Sequence, residues 1–199
     1  TFSRLNKEDC NFGYRDSIFK NDLKGKGLIT AVQLALPKHW QSNLGYAGLD
    51  ELDKQVSALQ IMEKVIEIRQ SKLPNPASIA NAGSFFKNPV VSELCFAQLL
   101  KKYPAMPHYR LNEHKVKLAA GGLIDQTGLK GYSVDTCGVH NKQALVLVNL
   151  GGAKGKDIIK LAQYVVAQVQ EVFSVHLVPE VRLISASGEV KFEELPSYV

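Results

Sequence analysis

A seven-residue stretch, Gly83-Ser84-Phe85-Phe86-Lys87-Asn88-Pro89, combines a hydroxyl, an amine and an amide between a glycine and a proline. Gly83 permits a backbone turn that a Cβ would obstruct. Pro89 restrains Asn88 to an extended conformation and ends any helix there. The Ser84 hydroxyl and the Asn88 amide are therefore expected on a stiff connection outside regular secondary structure. The alternative is a well-formed turn whose two phenylalanines enter a core, and the stretch alone leaves both interpretations open.

Two charged residues far apart in the chain could handle a carboxylate and a developing negative charge. Arg15 offers a guanidinium fork that suits a carboxylate better than lysine does; the alternative is a surface arginine paired with Asp16. Glu180 follows a proline and precedes an apolar segment. A glutamate can donate a hydrogen bond to an anion only when protonated, which requires burial. The alternative for Glu180 is a surface salt bridge to Arg182.

The sequence resembles the UDP-N-acetylenolpyruvoylglucosamine reductase (UDP-N-acetylmuramate dehydrogenase) family over nearly all of its length. The resemblance rests on blocks that occur in the family's order: Tyr14-Arg15-Asp16-Ser17-Ile18-Phe19-Lys20, Ser71-Lys72-Leu73-Pro74-Asn75-Pro76, the stretch from Gly83 to Pro89, Lys117-Leu118-Ala119-Ala120-Gly121 and Pro179-Glu180-Val181-Arg182. The family's N-terminal flavin-binding half has no counterpart ahead of the first block, and the chain begins at Thr1. We therefore expect the C-terminal portion of a longer protein.

The resemblance implies a reductase that uses FAD and NADPH to convert UDP-N-acetylglucosamine enolpyruvate to UDP-N-acetylmuramate in bacterial peptidoglycan synthesis. In that reaction a hydride reaches one vinyl carbon, and negative charge spreads from the adjacent carbon into the carboxylate. Preorganised donors stabilise such charge effectively in a dry site. By resemblance, Arg15 neutralises the carboxylate, Ser84 donates the proton, and Glu180 acts as a neutral donor to the enolate.

The resemblance also implies a set of side chains that bind the UDP-sugar: Tyr46, Lys72, Asn88, Tyr109 and Gln143. Tyr46 and Lys72 would hold the diphosphate side, and Tyr109 would cover the sugar nucleotide from a proline-rich loop. The two amides would pair with uracil edges or phosphate oxygens, since each offers both a donor and an acceptor. Gln143 has the alternative of a solvated residue ahead of a strand. Arg182 would face the flavin.

The first part of the chain predicts one strand, one loop and one helix. Both faces of 28–36 are apolar, which predicts a strand buried on both sides. The segment 40–50 has two glycines and no periodicity, which predicts a mobile loop around Tyr46. Residues 55–70 predict an amphipathic helix. Its inward stripe is expected to comprise Val56, Leu59, Met62 and Val65 or Ile66. The proline-rich break at 72–76 predicts a domain boundary.

Helices and strands alternate after this break, which predicts an α/β (α+β) domain with a small sheet backed by helices. The predicted helices are 91–102, 116–124 and 157–173, and the predicted strands are 144–148, 174–177 and 180–185. Ser92 is expected to cap the first of these helices, whose inward residues would be Leu94, Phe96, Leu99 and Leu100. The inward residues of the last helix would be Ile158, Leu161, Val165 and Val169. The organisation is therefore expected to be the C-terminal part of an FAD-binding domain at 1–73, a substrate-binding domain at 77–178, and a C-terminal return segment at 179–199 that carries Glu180.

Composition narrows the partners and the compartment. The hydrophobic fraction is 45% and the charged fraction 22%, as in ordinary soluble globular proteins, and no apolar run reaches the roughly 20 residues that cross a bilayer. The three cysteines lack metal-ligand spacing, which suits free thiols in a reducing, cytoplasmic setting. The net charge of +5 favours an anionic partner. Because the lysines are scattered, we expect no nucleic-acid binding, and because the five histidines are dispersed, we expect no metal. We also expect no membrane partner, and a monomer.

Two other functions remain open at this point. The chain could be a UDP-sugar-binding module that has no activity on its own, because it lacks the half that holds FAD in the family. It could also be a scaffold domain of unrelated role. Flavin absorbance and the effect of a UDP-sugar on the melting temperature discriminate between these hypotheses.

Overall fold

The computed structural model describes residues 1–198 and forms two compact units, Thr1–Gln41 and Ser42–Val199. The first unit has a short 3-10 helix, Ile18–Lys20, and a tight turn that closes between Gly13 and Asp16. The second unit contains the α-helices and the paired strands. The three-part division expected from the sequence, with boundaries at 73–77 and 178–179, stays a prediction.

The segment 28–36 was predicted to be a strand buried on both sides, and that prediction is wrong. The segment has no regular secondary structure, and Leu28 and Leu36 are 86% and 79% exposed. A strand needs a neighbour that accepts and donates its backbone hydrogen bonds. Among the residues that the structure describes, no strand pairs with this segment. The apolar pattern is therefore present without the partner that would bury it.

The second unit is a mixture of helices and antiparallel sheets, which confirms the α+β class. The helices are α1 (Ala58–Lys72), α2 (Glu93–Lys102), α3 (Ala120–Gln126) and α4 (Gly155–Phe173). The strands are β1 (Ala80–Ser84), β2 (Val90–Ser92), β3 (His108–Arg110), β4 (Lys115–Leu118), β5 (Ser133–Val134), β6 (Cys137–Val139), β7 (Val146–Asn149), β8 (Leu183–Ser185) and β9 (Gly188–Val190). They pair in the orders β1-β7-β6-β5, β2-β4-β3 and β8-β9, and every pairing is antiparallel.

Helix α1 confirms the predicted helix but not its inward stripe. Ser57 and Gln60 form a reciprocal capping box that starts the helix, as expected where a serine precedes a glutamine by three residues. Ile68 is buried, whereas Leu59 and Met62, predicted to face inward, are exposed. The helix has apolar residues on more than one face, so periodicity alone could not identify the face that packs.

The longest helix, α4, packs as its pattern predicts, with Leu161, Val165 and Val169 buried. These positions recur at helical spacing and place one face against the core. In α2, Ser92 accepts a hydrogen bond from the Cys95 N–H at 3.2 Å, which confirms the predicted cap. Leu94 was predicted to face inward and is exposed.

Three predicted elements are wrong in type or extent. The segment predicted as one helix at 116–124 is the end of strand β4 followed by the short helix α3. The segment 174–177 forms no strand, although Val175 and Leu177 are buried; alternating burial there comes from packing without strand pairing. The strand predicted at 180–185 begins only at Leu183.

Candidate active site

The stretch from Gly83 to Pro89 is bonded on two sides to distant parts of the chain. On one side the Phe85 N–H donates to the Leu145 carbonyl at 2.7 Å. On the other side the Glu180 N–H donates to the Phe85 carbonyl at 2.8 Å, and Phe86 forms an antiparallel bridge with Pro179. Ser84 precedes Phe85 in the chain, and the backbone of Glu180 is hydrogen-bonded to Phe85. Both residues are therefore neighbours of Phe85.

Ser84 lies at the end of strand β1, not on a connection outside regular structure, so that prediction is corrected. The pairing of β1 with β7 is irregular between Asn81 and Ser84, and Gly83 has φ +72°. Irregularities of this kind re-aim side chains and are frequent beside active sites. The serine is exposed, which leaves its hydroxyl accessible to a ligand.

The two phenylalanines that follow Ser84 enter the core. Phe85 and Phe86 are 4% and 1% exposed, and their rings meet edge to face with centroids 5.0 Å apart. Such pairs are favourable beyond the area they bury. The stretch is a strand end followed by an isolated bridge rather than a turn, but its two rings are buried as the alternative expected, and they fix the backbone on which the exposed Ser84 stands.

Glu180 is half-buried on the segment that returns from α4 to this stretch. Arg182, two residues on, places its Nε 3.1 Å and its Nη2 2.9 Å from the two carboxylate oxygens of Glu189. This hydrogen bond, reinforced by charge attraction, raises the pKa of Arg182 above its ordinary value. The forked pair links the residue just before β8 to β9, and no local sequence pattern predicts it because Glu189 lies beyond a turn.

Asn88 and Gln143 meet at the start of helix α3. The Asn88 Oδ1 accepts a hydrogen bond from the Ala120 N–H at 3.0 Å, across 32 residues of sequence. The Gln143 Oε1 lies 3.1 Å from the position that a Cβ on Gly121 would occupy. Gln143 is half-buried and precedes strand β7, so its proposed role and the alternative of a solvated residue ahead of a strand both stay predictions. The glycine leaves room for its side chain.

Tyr109 lies in strand β3, so its predicted place on a proline-rich loop is corrected. Its ring is 60% exposed, and the Nζ of Lys117, its cross-strand partner in β4, lies 5.1 Å from the ring centroid. This distance suits a cation–π contact. Sequence reasoning did not assign Lys117 to the site, although it heads the Lys117–Gly121 block of the resemblance.

Tyr46 and Lys72 are associated with the same end of α1. Lys72 is the last residue of the helix and is exposed. The loop of Tyr46 is anchored on the preceding turn: Leu49 is buried, and a Cβ on Gly48 would stand 2.9 Å from Cδ1 of Ile68. Residues 68 and 72 share a helix face. The loop is therefore anchored at its base, while Tyr46 itself is exposed.

Arg15 lies in the first unit, at the tip of the turn between Gly13 and Asp16. Its φ is +56°, a left-handed conformation that is uncommon for residues other than glycine. Its guanidinium carbon lies 5.8 Å from the centroid of the Tyr14 ring. Residues held in such conformations cluster at functional sites, where the surrounding structure maintains them.

Other possible sites give weaker signals. Among residues 1–198, no group of three or more His, Cys, Asp or Glu side chains is arranged to hold a metal ion. Cys137 is buried, and desolvation, followed by the charges of Asp157 and Asp135, raises the pKa of its thiol. A raised pKa keeps the thiol protonated, as in an inert core cysteine.

Of the helices described, none combines the length and apolarity required to cross a membrane.

Comparison with known proteins identifies relatives across nearly the whole chain. Residues 75–184 match the family described as UDP-N-acetylenolpyruvoylglucosamine reductase, C-terminal domain. The chain is 49% identical over 189 residues to the UDP-N-acetylenolpyruvoylglucosamine reductase of Shewanella baltica, covering 94% of this chain and 55% of that protein. It is 50% identical over 192 residues to the Pasteurella multocida protein of the same name, covering 96% of this chain and 56% of the relative.

A third relative, from Pseudoalteromonas translucida, carries the same name and is 47% identical over 197 residues, covering 99% of this chain and 58% of its own length. The chain thus spans little more than half the length of the curated relatives it matches. The family match and these identities show that the chain belongs to the UDP-N-acetylenolpyruvoylglucosamine reductase family.

Proposed function

We propose that this chain is the substrate-binding and proton-donating portion of a UDP-N-acetylenolpyruvoylglucosamine reductase, which reduces UDP-N-acetylglucosamine enolpyruvate to UDP-N-acetylmuramate in the cytoplasm. The observation that carries the proposal is the bonding of the Glu180 segment to Phe85, directly beside Ser84. A hydroxyl and a carboxyl group are thereby brought to one stretch, beside two amides that flank the start of α3. This combination suits a reaction that must both hold a sugar nucleotide and protonate a carbanion.

The two acids have different tasks. Ser84 stands accessible at the irregular end of β1 and gives its proton to the carbon on which charge develops. A serine hydroxyl is a weak acid, so its effectiveness depends on being placed against a strongly basic carbon. Glu180, half-buried and bonded through its N–H to the Phe85 carbonyl, is the proposed side-chain hydrogen-bond donor to the enolate. Arg15 neutralises the substrate carboxylate.

The UDP-sugar is held by three groups of side chains. Tyr46 and Lys72, at the end of α1, take the diphosphate, where the ammonium of Lys72 acts as a compact positive charge. Asn88 and Gln143 take the uracil or phosphate oxygens. Tyr109 covers the nucleotide, and the ammonium of Lys117 lies over the Tyr109 ring. The overall net charge of +5 favours an anionic ligand of this kind.

FAD and NADPH are the proposed cofactors, and reduced flavin would supply the hydride when bound. The one residue of this chain assigned to the flavin, Arg182, has its guanidinium occupied by Glu189, so the described residues fit substrate binding better than a flavin cradle. The apolar segment 28–36 is exposed, which supports the proposal that another part of the protein or a partner covers it. We therefore assign the flavin to the part of the relatives that this chain does not match.

A UDP-sugar-binding module without activity of its own is the second candidate, favoured by the limited share of the relatives that the chain covers. The purified chain distinguishes the two through its absorbance and its ligands. If the chain is colourless and binds UDP-N-acetylglucosamine enolpyruvate, it is a UDP-sugar-binding module by itself. The reductase proposal is then tested in a fusion protein that joins this chain to the unmatched part of the Shewanella baltica relative. The proposal requires that this fusion protein oxidises NADPH when given the substrate.

Substitution of Lys72 tests the proposed substrate anchor. Lys72→Ala should weaken binding of the enolpyruvyl substrate roughly tenfold, the size expected for one charge-assisted hydrogen bond. In the fusion protein KM should rise with kcat little changed, because the anchor holds ground and transition states alike. Lys101→Ala, an exposed lysine in the last turn of α2, is the matched control. A fall in kcat at constant KM would refute the anchoring role.

A further inference from the structure

The turn that carries Arg15 is held by bonds on both sides of its strained residue. The Gly13 N–H donates to the Asp16 carbonyl at 2.9 Å, and the Asp16 N–H donates back to the Gly13 carbonyl at 3.3 Å. Between them Arg15 has φ +56°. A Cβ disfavours this conformation, so it persists only where the surroundings impose it.

A lysine supplies one of these constraints. The Nζ of Lys20 donates to the carbonyl oxygen of Arg15 at 2.9 Å. Lys20 is the last residue of the 3-10 helix Ile18–Lys20, and its N–H donates to the Ser17 carbonyl at 3.0 Å. Its side chain therefore reaches from a fixed element back to the one residue of the turn whose backbone is strained.

The base of the turn is fixed separately by Asp16. Its Oδ1 accepts hydrogen bonds from the Ser17 N–H at 2.9 Å and from the Asn21 Nδ2 at 2.8 Å. These bonds hold the residues after the tip, whereas the Lys20 bond holds the tip itself. Loss of the Lys20 bond should therefore loosen Arg15 without unfolding the rest of the segment.

We propose that Lys20 is a positioning residue for Arg15: it fixes the left-handed backbone from which the guanidinium is directed. This inference rests on the proposed role of Arg15 in the reductase. Orientation matters because a displacement of about 1 Å from productive geometry can cost roughly a hundredfold in rate.

A double-mutant cycle in the fusion protein tests the coupling. Lys20→Ala should lower kcat/KM for the enolpyruvyl substrate by about tenfold or more, and Lys20→Arg, which keeps a cationic donor, should recover part of the loss. In an Arg15→Ala background the same Lys20→Ala change should alter kcat/KM by less than twofold, since nothing remains to position. Lys24→Ala, an exposed lysine on the same segment, should match the parent enzyme. An equal loss in both backgrounds, or none in either, overturns the proposal.

A measurement without substrate separates this inference from the proposed function. In this chain, Lys20→Ala should accelerate hydrogen exchange at the Asp16 amide, whereas Lys24→Ala should not. Unchanged exchange at Asp16 would show that Lys20 does not hold the turn, whatever the enzyme does. Accelerated exchange together with a fully active Arg15→Ala fusion protein would instead show that the turn is held but that Arg15 has no role in the reaction, which removes the positioning role as well.

Discussion

Asn88 carries two tasks that one pair of substitutions can separate. Its Oδ1 accepts the Ala120 N–H at 3.0 Å, and Ala120 is fully buried, so this amide has little access to water as a substitute. The remaining part of the side chain, its NH₂ group, is the proposed donor to the nucleotide. Asn88→Ala removes both functions, whereas Asn88→Asp retains the acceptor and removes the donor.

The expected stability change follows from the cap. Loss of a side-chain acceptor at a helix start costs about 0.5–2 kcal/mol, and a unit of this size shifts its Tm by roughly 2–4 °C per kcal/mol. Asn88→Ala should therefore lower the Tm by a few degrees. Asn88→Asp should keep the Tm close to that of the parent, because a carboxylate accepts the same hydrogen bond and is favourable near a helix N-terminus.

Binding should respond in the opposite order. An aspartate lacks the donor and adds a negative charge near a doubly anionic diphosphate, so Asn88→Asp should bind UDP more weakly than Asn88→Ala does. Thermal unfolding and calorimetric titration with UDP measure the two effects on the same samples. Ser92→Ala is the matched control, since it removes a similar cap from α2 and should cost stability without changing UDP affinity. Equal destabilisation by both Asn88 variants would refute the capping role, and parental UDP affinity in Asn88→Asp would refute the binding role.

The remaining predictions concern the two proposed acids in the fusion protein. Ser84→Ala should leave reduction of the flavin by NADPH nearly intact and slow oxidation of the reduced flavin by substrate by orders of magnitude, measured by stopped-flow absorbance; equal losses in both half-reactions would make Ser84 structural. Glu180→Gln keeps the side-chain length and a neutral donor, so it should retain more of the reoxidation rate than Glu180→Asp, which withdraws the group by one methylene. Two variants that reoxidise at the parental rate would remove Glu180 from the mechanism.

Elements with one dominant apolar face were predictable from the sequence, and elements that depend on a partner were not. Helix α4 repeats its apolar residues at one helical spacing, so only one face could pack, and the face that packs is the predicted one. The segment 28–36 is apolar on both faces, but burial of a strand depends on neighbours that its own residues do not specify. The prediction of the inward face of helix α1 was wrong for a related reason, because more than one face of this helix is apolar.

The side-chain partners of the site were the least predictable feature. The hydrogen bond of Asn88 to Ala120 spans 32 residues, and the fork of Arg182 on Glu189 depends on the register of the β8–β9 hairpin. No local pattern encodes either contact. The family resemblance implies the roles of the site residues, but it did not indicate that Asn88 also accepts the first N–H of α3 or that Lys117 lies over the Tyr109 ring.

The stretch from Gly83 to Pro89 combines buried rings with an exposed serine. Burial of Phe85 and Phe86 holds the backbone between two hydrogen-bonded neighbours, Leu145 on one side and Glu180 on the other. A proton donor with a weakly acidic hydroxyl depends on precise placement more than on acidity. The buried rings give Ser84 that placement, and the bond to Glu180 brings the second acid from the far end of the chain. Packing and chemistry are therefore carried by neighbouring residues of the same segment, so a substitution at either phenylalanine should impair the site without touching a ligand.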